Sequence, residues 1–372
     1  MSGWSDIKLL RTRIYLDQQV EKGHWWFRPL REITRAVLRG VRRRKNQSGF
    51  ASNSLPLASR PCPVPFREMV INCDGTVACG STANAPLLDA FEEDGGSKPL
   101  SAVWEGPGFQ AMRTRNLAGD GSGCAGCRLY QNPGFPPLSG DEVRQVAGVG
   151  GFIQQLLIEP TAQCNLDCPT VCGQSYPSRR QPAFKRKVRF MPLPLFKSIV
   201  EGIDRRIGKV CFYNYGEPLL HPDFLSMCEL VRKRCPSTHI VTSTNGTRLN
   251  HAKVREGLLR ADMDELIVSV DGATQATYEA YRRGGRLDEI LDGMRLLREE
   301  RDQAGLSRPA IIWRYILFSW NDSDAELALA ERLAREIGVD RFCYHLSDLS
   351  ELASRTYRSG TPSFERIRAQ LY

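Results

Sequence analysis

The sequence predicts an α/β fold, a partial (β/α)6 barrel over residues 151–346 preceded by a small α+β cysteine-rich module over 61–130. Six strand-like runs carry the first half of that statement: 152–159, 209–213, 239–243, 265–270, 310–317 and 341–344. Helical patterns lie between most of them, at 195–207, 224–233 and 287–302 for example. Strands that alternate with helices build parallel sheets, and six units fall short of a closed eightfold barrel. The second half rests on cysteines gathered between two Pro-, Gly- and Ser-containing connections.

The elements follow in chain order. Residues 1–45 read as helical, with Ile7, Leu10 and Ile14, then Ile33, Val37, Leu38 and Val41, on helical spacing. Residues 46–60 have the Asn, Ser, Ala and Pro content of a linker. In 61–130, the apolar runs 68–72 and 76–79 flank Asp74-Gly75, a hairpin turn signal. A helix-like stretch over 103–117 and a glycine-rich loop over 121–127 come next. Residues 131–150 form a second connection, and 347–372 a polar C-terminal tail with a short helix-like end.

Composition narrows the function classes. Of 372 residues, 41% are hydrophobic and 25% charged, which supports a sizeable core and excludes global disorder. No stretch reaches the roughly 18 uncharged apolar residues of a membrane span. Charges enter the N-terminus from its first residues, so the expected address is cytoplasmic, with no membrane partner. The net charge of +9 is spread along the chain. Its one concentration, Arg42-Arg43-Arg44-Lys45, is read as a solvated helix end or linker, and no nucleic-acid partner is expected from it.

The twelve cysteines are the informative residues, and in a cytoplasmic chain clusters of them point to metal or redox chemistry. Cys164, Cys168 and Cys172 form a tight triad immediately after the first barrel strand. Cys62, Cys73, Cys79, Cys124 and Cys127 form a looser upstream group. Cys211, Cys228, Cys235 and Cys343 stand singly and are read as small buried hydrophobes. Three thiolates at the C-terminal end of a barrel strand suit three irons of a [4Fe–4S] cluster whose fourth iron stays open. A zinc knuckle is the alternative, but the next twenty residues hold neither Cys nor His as a fourth ligand.

With Asn214-Tyr215-Gly216-Glu217-Pro218 after the second strand, residues 242–246 (TSTNG) after the third and 269–272 (SVDG) after the fourth, residues 152–346 resemble the radical S-adenosylmethionine superfamily. Tyr278 to Arg282 and Trp320-Asn321 add to the likeness. The resemblance implies a [4Fe–4S] cluster on Cys164, Cys168 and Cys172 and S-adenosyl-L-methionine as cofactor, cleaved to a radical that abstracts hydrogen from substrate. It further implies that Gly216, Glu217 and Pro218 hold the cofactor's amino group. Thr244, Asn245, Ser269, Asp271 and Arg282 are the other cofactor contacts that it implies. The cysteine spacing departs from the family's CxxxCxxC by one extra residue among Pro169, Thr170 and Val171. Both a bulged, working loop and a decayed cluster site are compatible with it.

The upstream cysteines, around a hairpin and a Trp104-containing helix, resemble the truncated "twitch" form of the SPASM auxiliary-cluster domain. That resemblance implies a second [4Fe–4S] cluster on Cys62, Cys79, Cys124 and Cys127. A four-cysteine zinc ribbon is the alternative. The segment from Gly75 to Cys79 is one residue shorter than usual, Cys73 is a rival ligand, and the module precedes the barrel instead of following it. Residues 21–28, which include His24, Trp25, Trp26 and Phe27, look like the leading helix of some methyltransferases. No glycine-rich nucleotide loop follows, so they are read as an aromatic cluster between helices.

These readings converge on a radical S-adenosylmethionine enzyme acting on a peptide or sugar-type small molecule, with a ferredoxin or flavodoxin as electron donor. The alternatives are a catalytically degenerate iron–sulfur or zinc scaffold and an RNA-modifying enzyme. No side chain stands out as a substrate acid or base.

Overall fold

A computed structural model describes residues 61–81, 85–93, 96–124, 127, 138–143, 152–169, 186–203, 207–347, 351–358 and 360–372. The helices and aromatic cluster expected in 1–45, the linker 46–60, most of the connection 131–150, and Thr170, Val171 and Cys172 lie outside the described residues.

Among the described residues, nine strands form one open sheet. Six are the barrel strands: β6 (Gln155–Ile158), β7 (Lys209–Phe212), β8 (His239–Thr244), β9 (Glu265–Ser269), β10 (Ala310–Leu317) and β11 (Arg341–Leu346). They pair in parallel and in sequence order, as their alternation with helices requires. The other three come from the cysteine-rich segment. β1 (Glu68–Ile71) and β2 (Thr76–Ala78) form the expected hairpin, with Gly75 at φ +80° in its turn. β3 (Leu87–Ala90) pairs antiparallel with β2. A short ribbon of β4 (Glu92–Glu93) and β5 (Gly96–Ser97) stands apart from that sheet.

The sequence sets 61–130 apart as a module, but its strands hydrogen-bond into the barrel sheet. β1 pairs in parallel with β6, Glu68 opposite Gln155 through Ile71 opposite Ile158. The edge that an open six-stranded barrel leaves at its first strand is thereby covered, which removes a row of unpaired backbone groups.

Two helix boundaries differ from expectation, each for a local reason. The helix read over 103–117 is two, Leu100–Trp104 and Pro107–Leu117. Gly106 is extended and Pro107 has no N–H to continue the first helix, so the chain restarts there. The helix read over 195–207 is Leu193–Glu201 and ends at the Gly202 cap.

The barrel strands are apolar on both faces, as strands covered on both sides must be. Leu156, Val210, Phe212, Leu266 and Trp313 pack against the outer helices in the main core. On the opposite face of the same strands, Leu157 and Cys211, and Val241, Ile267, Ile312 and Cys343, form two smaller clusters side by side. Phe212 links strand to helices, its ring 5.9 Å from Phe196 and 5.7 Å from Phe224. Phe212→Ala is expected to cost about 3–5 kcal/mol. Urea denaturation should show this as a lower midpoint at unchanged slope.

Candidate metal and cofactor sites

The cysteine loop leaves β6 at the C-terminal edge of the sheet. Cys164 is half-buried and Cys168 is 4% exposed. Both pack with Leu166, Tyr281 and Phe318. Tyr281, Phe318 and Trp320 continue as a run of rings, 4.5 Å from Tyr281 to Phe318 and 4.6 Å, nearly parallel, from Phe318 to Trp320. The third expected ligand, Cys172, lies outside the described residues.

The loop after β7 is laid directly on this cysteine loop. Glu217 N–H donates to Gln163 O at 2.8 Å. A Cβ on Gly216 would stand 1.8 Å from Thr161 O and 2.9 Å from Gln163 O, so only glycine permits the approach. Glu217 is buried, and its carboxylate takes three donors: Leu219 N at 3.1 Å, Thr244 Oγ1 at 2.7 Å and Asn245 N at 2.6 Å. Burial pushes its pKa up, against the pull of those hydrogen bonds. Pro218 opens the short turn Pro218–Leu220 that supplies the Leu219 donor. Asn245 completes the circuit, its Nδ2 donating to Asn165 Oδ1 at 2.9 Å and reaching Cys164 Sγ at 3.6 Å. Gly216, Glu217, Pro218, Thr244 and Asn245 therefore gather beside Cys164. Here Glu217 acts as a tie between loops.

Asp271 and Arg282 form a second tie. Their ion pair is 2.7 Å long, and Asp271 is fully buried, its other oxygen accepting Ile316 N–H at 2.8 Å. Burial opposes the charge on Arg282, yet Asp271 and a thiolate at Cys168 hold its pKa well above the usual arginine range. Asn321 locks the same corner, Nδ2 donating to Asp271 O and Oδ1 accepting Phe318 N–H. Ser269 faces elsewhere: Arg314 Nη2 donates to its Oγ at 2.7 Å, and Ser243 Oγ lies 3.4 Å away. The sequence reading passed over Arg314 and Ser243. A single arginine inside the otherwise apolar β10 was the available signal.

The upstream cysteines meet at a different place. Cys62, Cys79, Cys124 and Cys127 line one small cavity of about 20 Å3 with Val64, Pro65, Met112 and Asn116. Local structure delivers each thiol. Cys62 precedes the turn of helix Val64–Arg67, its N–H held by Asn116 Oδ1 at 2.9 Å. Cys79 follows β2, and Cys124 ends the turn Ser122–Cys124, whose carbonyl accepts Cys127 N–H. Burial, then the neighbouring Cys127 and Cys124, push the Cys62 thiol up to about 12. Burial likewise raises Cys79, helped by Cys62, Cys124 and Cys127, and it raises Cys124, helped by Cys127. These groups resist ionising together without a cation, while a metal core that draws four thiolates fits the donor set. Among the described residues, no group of three or more His, Cys, Asp or Glu side chains is spaced to hold a metal ion.

Cys73, the rival ligand, is elsewhere. It is fully buried, its N–H donates to Glu159 Oε2 at 3.3 Å, and its Sγ lies 3.6 Å from Val188 O. The described cysteines are free of disulfides. No helix among the described residues is long and apolar enough to cross a membrane.

Comparisons with known proteins bear on the region that contains the first site. Residues 158–306, which include the cysteine triad and every cofactor contact named above, match the family model described as the Radical SAM superfamily. A GTP 3′,8-cyclase of Peptoclostridium acidaminophilum is 26% identical over 234 residues, 60% of this chain and 67% of that protein. An AdoMet-dependent heme synthase of Methanosarcina barkeri (strain Fusaro / DSM 804) is 32% identical over 144 residues, 38% of each chain. A GTP 3′,8-cyclase of Rhodococcus opacus (strain B4) is 25% identical over 146 residues, and this chain spans only 40% of its length. Among solved structures, Streptococcus suis SuiB aligns at a TM-score of 0.45 and 13% identity, over 70% of this chain and 59% of that one. On this match, and on the parallel sheet that carries its cysteines, residues 158–306 are similar to the radical SAM superfamily.

Proposed function

We propose that the protein is a cytoplasmic radical S-adenosylmethionine enzyme with two [4Fe–4S] clusters. One is held by Cys164, Cys168 and Cys172, the other by Cys62, Cys79, Cys124 and Cys127. The carrying observation is the family-matched rim, where Cys164 touches Asn245 and the Gly216-Glu217 loop lies on the cysteine loop. When bound, the cluster and S-adenosylmethionine supply one-electron cleavage of the sulfonium and hydrogen abstraction from substrate. The chain's own part is to position and to shield. Gly216 admits the loop contact, and Glu217 fixes Thr244 and Asn245 beside the thiols. The Asp271–Arg282 pair holds the turn after β9, while Tyr281, Phe318 and Trp320 screen Cys168 from water.

The substrate in this reading is a peptide or a sugar-type small molecule, with electrons from a ferredoxin or flavodoxin. It rests on the likeness of residues 61–130 to auxiliary-cluster modules. For the upstream site, four converging thiols would suit a cluster or a single zinc, and the radical S-adenosylmethionine core in the same chain favours the cluster. The second reading is a scaffold that no longer cleaves the cofactor, and the CxxxCxxxC spacing is what favours it.

Anaerobic reconstitution should load about eight irons. Replacing Cys164, Cys168 and Cys172 by Ala should remove one cluster and leave the other, as iron and sulfide assays will show. Stoichiometric zinc without iron would defeat this reading.

Dithionite-reduced protein should release 5′-deoxyadenosine and methionine, measured chromatographically. Deleting Val171 restores the family spacing and should preserve or raise that yield. If the fully loaded natural chain makes none while the deletion variant does, the scaffold reading stands; if neither does, the radical reading fails.

Glu217→Ala leaves the Thr244 hydroxyl and two buried N–H groups without an acceptor, at about 1–3 kcal/mol each. Its melting temperature should fall and its S-adenosylmethionine affinity should weaken in equilibrium binding. Glu217→Gln keeps acceptor capacity and should lie between Ala and the natural residue in both measurements.

A further inference from the structure

We propose that Arg113 supplies the counter-charge for an anionic metal–thiolate group on Cys62, Cys79, Cys124 and Cys127, an inference that rests on the auxiliary-cluster reading above. Arg113 lies on helix Pro107–Leu117 beside Met112 and three residues before Asn116, both of which line the four-cysteine cavity. It is 7% exposed. Its Nε donates to the carbonyl of Pro65, another cavity residue, at 2.8 Å. The guanidinium stacks on aromatic faces, Cζ standing 4.1 Å from the Trp104 ring centroid and 5.2 Å from that of Phe109. Nη2 is buried and has no hydrogen-bond partner.

The surroundings leave a charge unbalanced. Among the described residues, no carboxylate lies within ion-pair distance of Arg113, although Arg186 and Arg282, also buried, each hold one. Arginine keeps its proton in proteins, so burying it unpaired costs stability that deprotonation cannot recover. The two aromatic faces offset part of that cost. Neutral thiols offset little more. Four thiolates around a metal core carry more negative charge than the core neutralises, and they would add it to a guanidinium whose charge burial opposes and which Glu105, beyond ion-pair distance, and then Cys79 favour. A positive charge near the ligands favours the reduced state of a cluster and so raises its potential.

The test compares full-length protein, natural, Arg113→Gln and Arg113→Lys, each reconstituted anaerobically and each stripped with chelator. For a counter-charge, Arg113→Gln lowers the melting temperature of loaded protein more than that of stripped protein. It also shifts the auxiliary cluster's midpoint, followed by electron paramagnetic resonance, to more negative potential. Arg113→Lys keeps the charge and should recover most of both effects. A purely structural arginine, important only for its Pro65 bond and its stacking, would lower the loaded and stripped melting temperatures equally and leave the potential unmoved. That result overturns the proposal while leaving the auxiliary cluster standing. If the natural protein retains no metal on Cys62, Cys79, Cys124 and Cys127, the auxiliary-cluster reading itself falls, and the counter-charge falls with it.

Discussion

The Glu217 carboxylate accepts hydrogen bonds from Leu219 N, Thr244 Oγ1 and Asn245 N inside the protein, and through them joins the loop after β7 to the end of β8. Its own N–H reaches back to Gln163, one residue before the first cysteine of the triad. Three successive strand ends are thus held in fixed relation by one residue. The arrangement tolerates no side chain at Gly216, because a Cβ there would overlap Thr161 O. A rim assembled this way holds the cysteine loop by one backbone contact, from Glu217 N–H to Gln163 O, and by the side chains of Glu217 and Asn245. Rigid support of that kind is what a cofactor site needs, since ligands must be held to a fraction of an ångström.

Buried charge is distributed on the same principle. Glu159 and Arg186 pair at 2.6 Å beneath the hairpin turn, where Asn72 Oδ1 also accepts from Arg186. Asp271 and Arg282 pair behind the cysteine loop. In each, removing one partner would leave the other charge desolvated and alone, which is far more costly than the pair itself is stabilising. Arg113 departs from this pattern, and it does so beside the four-thiol cavity.

The module and the barrel share more than a chain. β1 continues the parallel sheet beyond β6, so the hairpin that carries Cys79 is anchored to the strand that leads into Cys164. Cys73 lies at this junction, between the hairpin turn and Glu159, where it is a packing residue with a hydrogen-bonded backbone.

Local pattern was enough for the strands, the hairpin at Asp74-Gly75 and the sorting of the cysteines into sets, because periodicity and turn chemistry act over a few residues. It also marked Gly216, Glu217 and Asn245 as site residues, by likeness of their short motifs. Only likeness to a family, and no local signal, preferred Cys79 to Cys73, which lie on one hairpin six positions apart. It gave Glu217, Asp271 and Arg282 cofactor contacts without the mutual ties that occupy them, and it passed over Arg314 and Arg113. Those outcomes depend on which segments, tens of residues apart, close around a common cavity or rim. Such closures are decided by the packing of the whole sheet and its helices, where the cost of leaving a buried charge or hydrogen bond unpaired selects among arrangements that the sequence permits alike.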